Sequence, residues 1–125
     1  MNKSKVTFIL HKPQLSENIG ACARAIKNFD FQKLYLIDPK PIFPNDKILA
    51  TSVGAKDIIE KSKVFNNLES SLGDIDILIA TSARFRNKNI KYISIEGLKK
   101  IDFRKKKIGF LFGSEASGLS NKEAV

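Results

Sequence analysis

The sequence has a single cysteine, Cys22, so it cannot close an internal disulfide. That excludes the crosslinked scaffolds of small secreted domains and suits a reducing compartment. No apolar run approaches the length needed to cross a bilayer, and residues 1–6 lead straight into strand-like sequence without a secretory h-region or cleavage site. These absences read together as a soluble, cytoplasmic protein. Acidic residues are scarce: 13 Asp and Glu face 22 Lys and Arg, for a formal charge of +9 and a pI near 9.7. Such an excess favours a polyanionic partner, nucleic acid above all, because each phosphate contact releases condensed counterions. A lysine-rich proteome would produce the same imbalance, so the charge poses the question without answering it. Also missing are G-x-G-x-x-G and G-x-x-x-x-G-K-[ST], which removes the main support for dinucleotide-binding and P-loop readings.

What is present is a core and an alternation. With 42% hydrophobic residues in 125, the chain can bury a real interior, and residues 1–125 read as one domain. Short runs rich in β-branched residues predict strands at Val6–His11, Lys33–Ile37, Lys63–Phe65, 75–80 and Ile108–Phe112. Several are continuously apolar, as parallel strands covered on both faces should be. Helices are predicted between them at 18–29, 46–52, 67–72 and 94–100, with a further one starting at Ser120. The pattern is that of an α/β domain with a mainly parallel sheet and flanking helices. Pro39, Pro41 and Pro44 mark a long excursion after the second strand.

Ligands of open parallel sheets bind outside the carboxyl ends of the strands, so the segments after each strand carry the candidates. The helix at 18–29 puts Ile19, Cys22, Ala23, Ile26 and Phe29 in one apolar sector and Glu17, Ala21, Arg24 and Asn28 on the other side. Gly20 weakens its first turn and signals a close backbone approach. On periodicity alone Arg24 reads as a solvated surface arginine, as most helical arginines are. After the fourth strand, Ala80-Thr81-Ser82-Ala83-Arg84-Phe85-Arg86 suits a loop that lets a ligand reach its backbone, with two arginines for phosphates. It also reads as an ordinary turn with basic surface residues. After the fifth, Gly113-Ser114-Glu115-Ala116-Ser117-Gly118 sets one acid between two glycines. Free backbone groups there could read a nucleobase edge; a glycine-rich turn with an exposed Glu is the plainer alternative.

Taken together, these segments resemble a known family. The run N-I-G-A-C-A-R-A-I-K-N-F at 18–29 resembles motif 1 of SpoU-type (SPOUT-class) RNA 2′-O-ribose methyltransferases, N-x-G-x-x-x-R-x-x-x-x-F/G. The run L-F-G-S-E-A-S-G-L at 111–119 resembles their motif 2, F-G-x-E-x-x-G-L. Pro13-Gln14-Leu15 before motif 1, with Ala80-Thr81-Ser82-Ala83-Arg84 in the middle, looks most like the TrmJ branch, which methylates the ribose 2′-oxygen in a tRNA anticodon loop.

The resemblance implies an α/β-knot fold, S-adenosylmethionine as methyl donor, an RNA substrate (tRNA on the TrmJ likeness) and a homodimer whose active site joins motif 1 of one subunit to the donor loops of the other. It implies neither a metal nor a membrane. Arg24 would be catalytic with Asn18 beside it. Thr81, Ser82, Ala83, Gly113, Glu115 and Gly118 would wrap the donor, and Arg84, Arg86 and Asn28 would hold RNA. A guanidinium is protonated at any ordinary pH and has no acceptor, so Arg24 suits phosphate holding and stabilisation of the 2′-oxygen better than general-base work. Members also carry a motif 3, roughly N-x-x-x-S-L-N-L, some tens of residues beyond motif 2. The sequence stops at Val125, so the expectation is a domain without its knot segment, with little methyl transfer of its own. A non-catalytic RNA-binding remnant using Arg84, Arg86 and the run Arg104-Lys105-Lys106-Lys107 is the second reading. A generic nucleotide-binding α/β domain is the third, disfavoured by the missing phosphate loops.

Overall fold

The computed structural model of the protein describes residues 2–80, 95–100 and 102–114. A single 3-10 turn at Lys3–Lys5 leads into β1 (Val6–His11), followed by α1 (Ser16–Asn28) and β2 (Lys33–Ile37). Two short helices, α2 (Asp46–Thr51) and α3 (Lys56–Lys61), precede β3 (Lys63–Phe65). Next come α4 (Leu68–Ser71), a 3-10 turn at Leu72–Asp74, β4 (Ile77–Ala80), α5 (Ile95–Lys99) and β5 (Ile108–Phe112). The strands form one sheet in the order β3-β2-β1-β5-β4, every pairing parallel. The expected parallel α/β architecture is observed, and four of the five predicted strands keep their predicted limits.

Strand alternation sorts the core into two layers. Leu34 and Leu36 of β2 point toward α1, α2 and α3, where Ile19, Ala23, Ile26, Ile48, Ala55, Ile58 and Ile59 close the first cluster. Ile9, Tyr35, Ile37 and Leu111 point the other way and meet Leu68, with Phe65, Leu72 and Leu78 around them. Gly109 of β5 fits the same scheme, since a β-carbon there would sit 3.1–3.3 Å from the ends of Ile9, Leu78 and Ile75.

α1 begins two residues earlier than its periodicity predicts, at Ser16, and its preceding residue Leu15 offers no side-chain cap. Its start is organised from α2 instead. Asn45 caps α2 by accepting from the Ile48 amide (2.8 Å) and donates to the Ser16 hydroxyl (3.0 Å) and the Ile42 carbonyl (2.9 Å). The helices cross at Gly20, where an added β-carbon would overlap the Thr51 side chain and lie 2.8 Å from its carbonyl carbon. The close approach signalled by Gly20 is therefore helix against helix. At the far end, Phe31 N–H donates to Ile26 O (2.9 Å) and Asp30 N–H to Lys27 O (3.0 Å), a Schellman closure. It places Asp30 at φ 67°, where glycine is the usual residue.

The flank of α1 nearest β5 carries an apolar cleft of about 300 Å³, lined by Phe8, Leu10, Cys22, Ala25, Ile26, Phe29, Phe31 and Phe112. Phe8 lies at its centre, stacked on Phe110 (centroids 5.7 Å apart) and edge-on to Phe31 (5.1 Å). Among the described residues no helix is long and apolar enough to cross a membrane.

Candidate functional site

The all-parallel sheet decides which segments can meet. β5 lies between β1 and β4, with Leu10 paired to Phe112 and Ala80 paired to Leu111. The chain therefore leaves β4 at Ala80, β5 at Phe112 and β1 at His11 side by side on one edge, as a ligand site of an open α/β sheet requires. The segments that follow Ala80 and Phe112 therefore start from adjacent strands. Thr81, Ser82, Ala83, Arg84, Arg86, Glu115, Gly118 and the helix predicted from Ser120 lie outside the described residues.

The described part of this edge is small and accessible. Ala80 and Gly113 are exposed, while Ser114 is 6% exposed and turns back into the protein. With no bulk at Ala80 or Gly113, backbone N–H and C=O groups are approachable at two neighbouring strand ends, which fits a flat ligand held by backbone contacts. β1 ends in a tight bend. Lys12 adopts φ 51° and its amide donates to Ile37 O (2.7 Å), so the chain turns sharply into Pro13. Asp38 does the same after β2, at φ 44° with its amide on Phe65 O (2.8 Å).

His11 stands at this edge although no sequence pattern singles it out. Burial first, and then the charge of Lys12, hold its imidazole below the ordinary value, against Asp38 and Glu69, which raise it. It is mainly neutral at neutral pH. Cys22 is unsuited to nucleophilic work, because burial pushes its thiol up to about 11.

Arg24, Asn18 and Asn28 are all on α1 and exposed. Arg24 and Asn28, four residues apart, share one face with Ala21. Asn18 is about 9 Å along the axis and about 120° around the helix from Arg24, so the two do not converge within one chain. Among the described residues Arg24 has no ion-pair partner. The neighbouring acid on its stripe, Glu17, is engaged by Lys47 of α2 at 2.9 Å, which leaves the guanidinium uncompensated. Arg24 lies about 12 Å down the helix from Ser16, too far to serve the strand-end loops of its own sheet directly.

An open, all-parallel α/β sheet with β5 inserted between β1 and β4 and an arginine-bearing helix after β1 is an architecture of the doubly wound class. The chain belongs to the SpoU rRNA Methylase family, whose model matches residues 5–124. It is 37% identical to the tRNA (cytidine-2′-O-)-methyltransferase TrmJ of Methanocaldococcus jannaschii, over 94% of this chain and 53% of that one. It is 38% identical to the uncharacterized tRNA/rRNA methyltransferase LasT of Escherichia coli, over 95% and 54%. Among solved structures, TrmJ from Z. mobilis ZM4 superposes with a TM-score of 0.74 at 30% identity, over 94% of this chain and 53% of that one. A probable methylase family protein from Haemophilus influenzae gives 0.75 at 31%, over 99% and 52%. The chain thus spans about half the length of the curated relatives it matches.

Proposed function

We infer that the chain is the methyltransferase domain of a tRNA ribose 2′-O-methyltransferase that uses S-adenosylmethionine and acts in the cytoplasm on an anticodon loop. The observation that carries this reading is the edge formed by β4, β5 and β1, from which the donor-loop sequences of the family pattern depart on adjacent strands. The sulfonium donor supplies an already activated methyl group. Ala80 and Gly113 leave the backbone open for the donor, with Thr81, Ser82, Ala83, Glu115 and Gly118 completing the loops. These residues then have to hold an RNA 2′-hydroxyl in line and favour loss of its proton. Arg24, permanently charged, contributes by gripping the adjacent phosphate and stabilising the oxygen as negative charge develops. Asn18, which does not converge with Arg24 within one chain, can join it at the site only across a dimer, and Asn28, Arg84 and Arg86 hold the RNA backbone.

A homodimer supports this division of labour. Arg24 faces solvent on α1, away from its own strand-end loops, so a second copy can present its loops to it. Phe29 and Phe112, 69% and 37% exposed at the rim of the apolar cleft, supply nonpolar surface for such a contact.

The test joins this chain to the remaining residues of a TrmJ relative and measures tritiated methyl transfer to undermodified tRNA, beside calorimetric titration with the donor. Arg24→Ala should abolish most transfer while donor affinity stays within about two-fold. Arg24→Lys should also fail if bidentate phosphate contact matters. Wild-type turnover by Arg24→Ala would refute the role given to motif 1.

A further inference from the structure

The edge of the sheet opposite the loops has its own chemistry. All five strands are parallel, so every strand starts on this edge. Lys33 is the first residue of β2, Lys63 the first of β3, and Lys61 ends α3 just before it. With Gln32, Leu34, Tyr35 and Asp74 these lysines line a cleft of about 240 Å³. Register sets the geometry: Lys63 pairs with Tyr35, and its ammonium lies 5.8 Å from the centre of the Tyr35 ring. Tyr35, only 6% exposed, forms the floor, and its hydroxyl reaches toward Asp74 Oδ2 at 3.5 Å.

The lining thus holds three lysines and a single acid, Asp74. Among the described residues none of the three forms an ion pair, although other lysines of this chain do, at Asp57 and Glu17. Like charges gathered without partners repel, and a concave wall focuses their field, so an anion is favoured there. The cleft is below the size usual for a small-molecule pocket, which suits a single phosphate group better than a whole nucleotide. The basic line continues along the edge through exposed Lys105, Lys106 and Lys107 before β5, whereas Arg104 is tied to Asp102 by two bonds of 3.0 and 2.9 Å. From β3 to β5 this line runs about 14 Å, three interstrand steps.

We propose that this cleft is a second RNA contact, in which Lys33, Lys61 and Lys63 hold one backbone phosphodiester on the sheet edge remote from the methyl-donor loops. The proposal rests on RNA being the substrate, as inferred above. The sheet is about 17–20 Å from edge to edge, a span that one folded RNA can bridge. The contact carries no base specificity; it fixes how the RNA lies across the domain.

The experiment titrates the isotopically labelled chain with an anticodon stem-loop RNA, without methyl donor, and follows backbone amide shifts and affinity against salt. Amides of residues 32–35 and 61–63 should shift. The triple variant Lys33→Gln, Lys61→Gln, Lys63→Gln should lower the slope of log affinity against log salt by about 1, the value for one phosphate contact. The triple arginine variant should keep the slope, and an unchanged melting temperature in both shows that folding is intact. An unchanged slope in the glutamine variant, or RNA binding without shifts at these amides, overturns the proposal. So does a polyglutamate peptide that shifts them at lower concentration than the RNA, which would assign the cleft to an acidic protein partner. Absence of methyl transfer by this chain joined to the remaining residues of a TrmJ relative, with the salt slope as expected, would count against the catalytic reading alone.

Discussion

Replacing Gly20 with alanine sets two effects of opposite sign against each other, and the structure decides between them. On helix propensity alone, alanine inside α1 should stabilise by about 1 kcal/mol. The added β-carbon, however, would overlap the Thr51 side chain and sit 2.7 Å from its β-carbon and 2.8 Å from its carbonyl carbon. Carbon atoms rest comfortably at about 3.5–4.0 Å, so α1 and α2 would have to part by roughly 1 Å. The obstacle is main chain as well as side chain, so rotamer changes cannot absorb it. Overpacking of this kind costs about 1–3 kcal/mol, and loosening the crossing also disturbs Ile19 and Ile48, both fully buried. The expected net result is a loss of up to about 2 kcal/mol, a drop of up to several degrees in melting temperature for a domain of this size. Thermal unfolding followed by circular dichroism measures it. Thr51→Gly in the same chain should recover part of the loss, because it removes the β-carbon and hydroxyl but leaves the carbonyl. If Gly20→Ala raised the melting temperature, propensity would have won and the crossing argument would be wrong.

Asn45→Ala should cost about 1–2 kcal/mol in urea unfolding, since it removes the α2 cap and both donor bonds. Asn45→Asp keeps the cap and should lose less; equal losses would mean that the cap is not what matters. Asp30→Gly should stabilise by up to about 1 kcal/mol by relieving the left-handed residue that closes α1, and a lower urea midpoint would refute that. Asp57 is held below its ordinary value, chiefly by its 2.7 Å bond from Lys27. A depressed carboxyl contributes stability above its unfolded value and loses it as pH falls through the folded one. Asp57→Asn should therefore flatten the acid limb of the pH–stability curve while leaving its dependence near neutrality unchanged.

Strands were the most legible part of the sequence because their signal is local. Val6–His11, Lys33–Ile37 and Ile108–Phe112 are dense apolar runs, and burial on both faces of a parallel sheet writes them that way. β4 is shorter than read, since residues 75 and 76 leave the 3-10 turn before pairing begins at Ile77. α3 escaped notice. Its six residues are too few to establish a period, and Ala55 before it provides no side-chain cap. Strand order was out of reach too: alternation predicts a parallel sheet but not that β5 enters between β1 and β4, because that choice depends on contacts about a hundred residues apart. The period of α1 placed Arg24 on its exposed face, and Gly20 signalled a close approach that proved to be the crossing with α2, whereas a catalytic role for Arg24 came only from the family resemblance. His11 carries no such mark, since the burial that chiefly holds its imidazole below the ordinary value arises only once the sheet is assembled.

The insertion of β5 beside β1 also sets a timetable for synthesis. β1, β2 and α1–α3 can assemble as soon as they leave the ribosome, for their contacts are close in sequence. The other edge of β1 then stays open until β5 emerges, roughly 75 residues after β2 is complete. At about 5–20 residues per second that is on the order of 4–15 seconds. During this interval a strand bearing Phe8, Ile9 and Leu10 presents bare backbone to any passing chain. The faster the chain is translated, the shorter the time in which that edge can pair with a neighbour before its own fifth strand arrives.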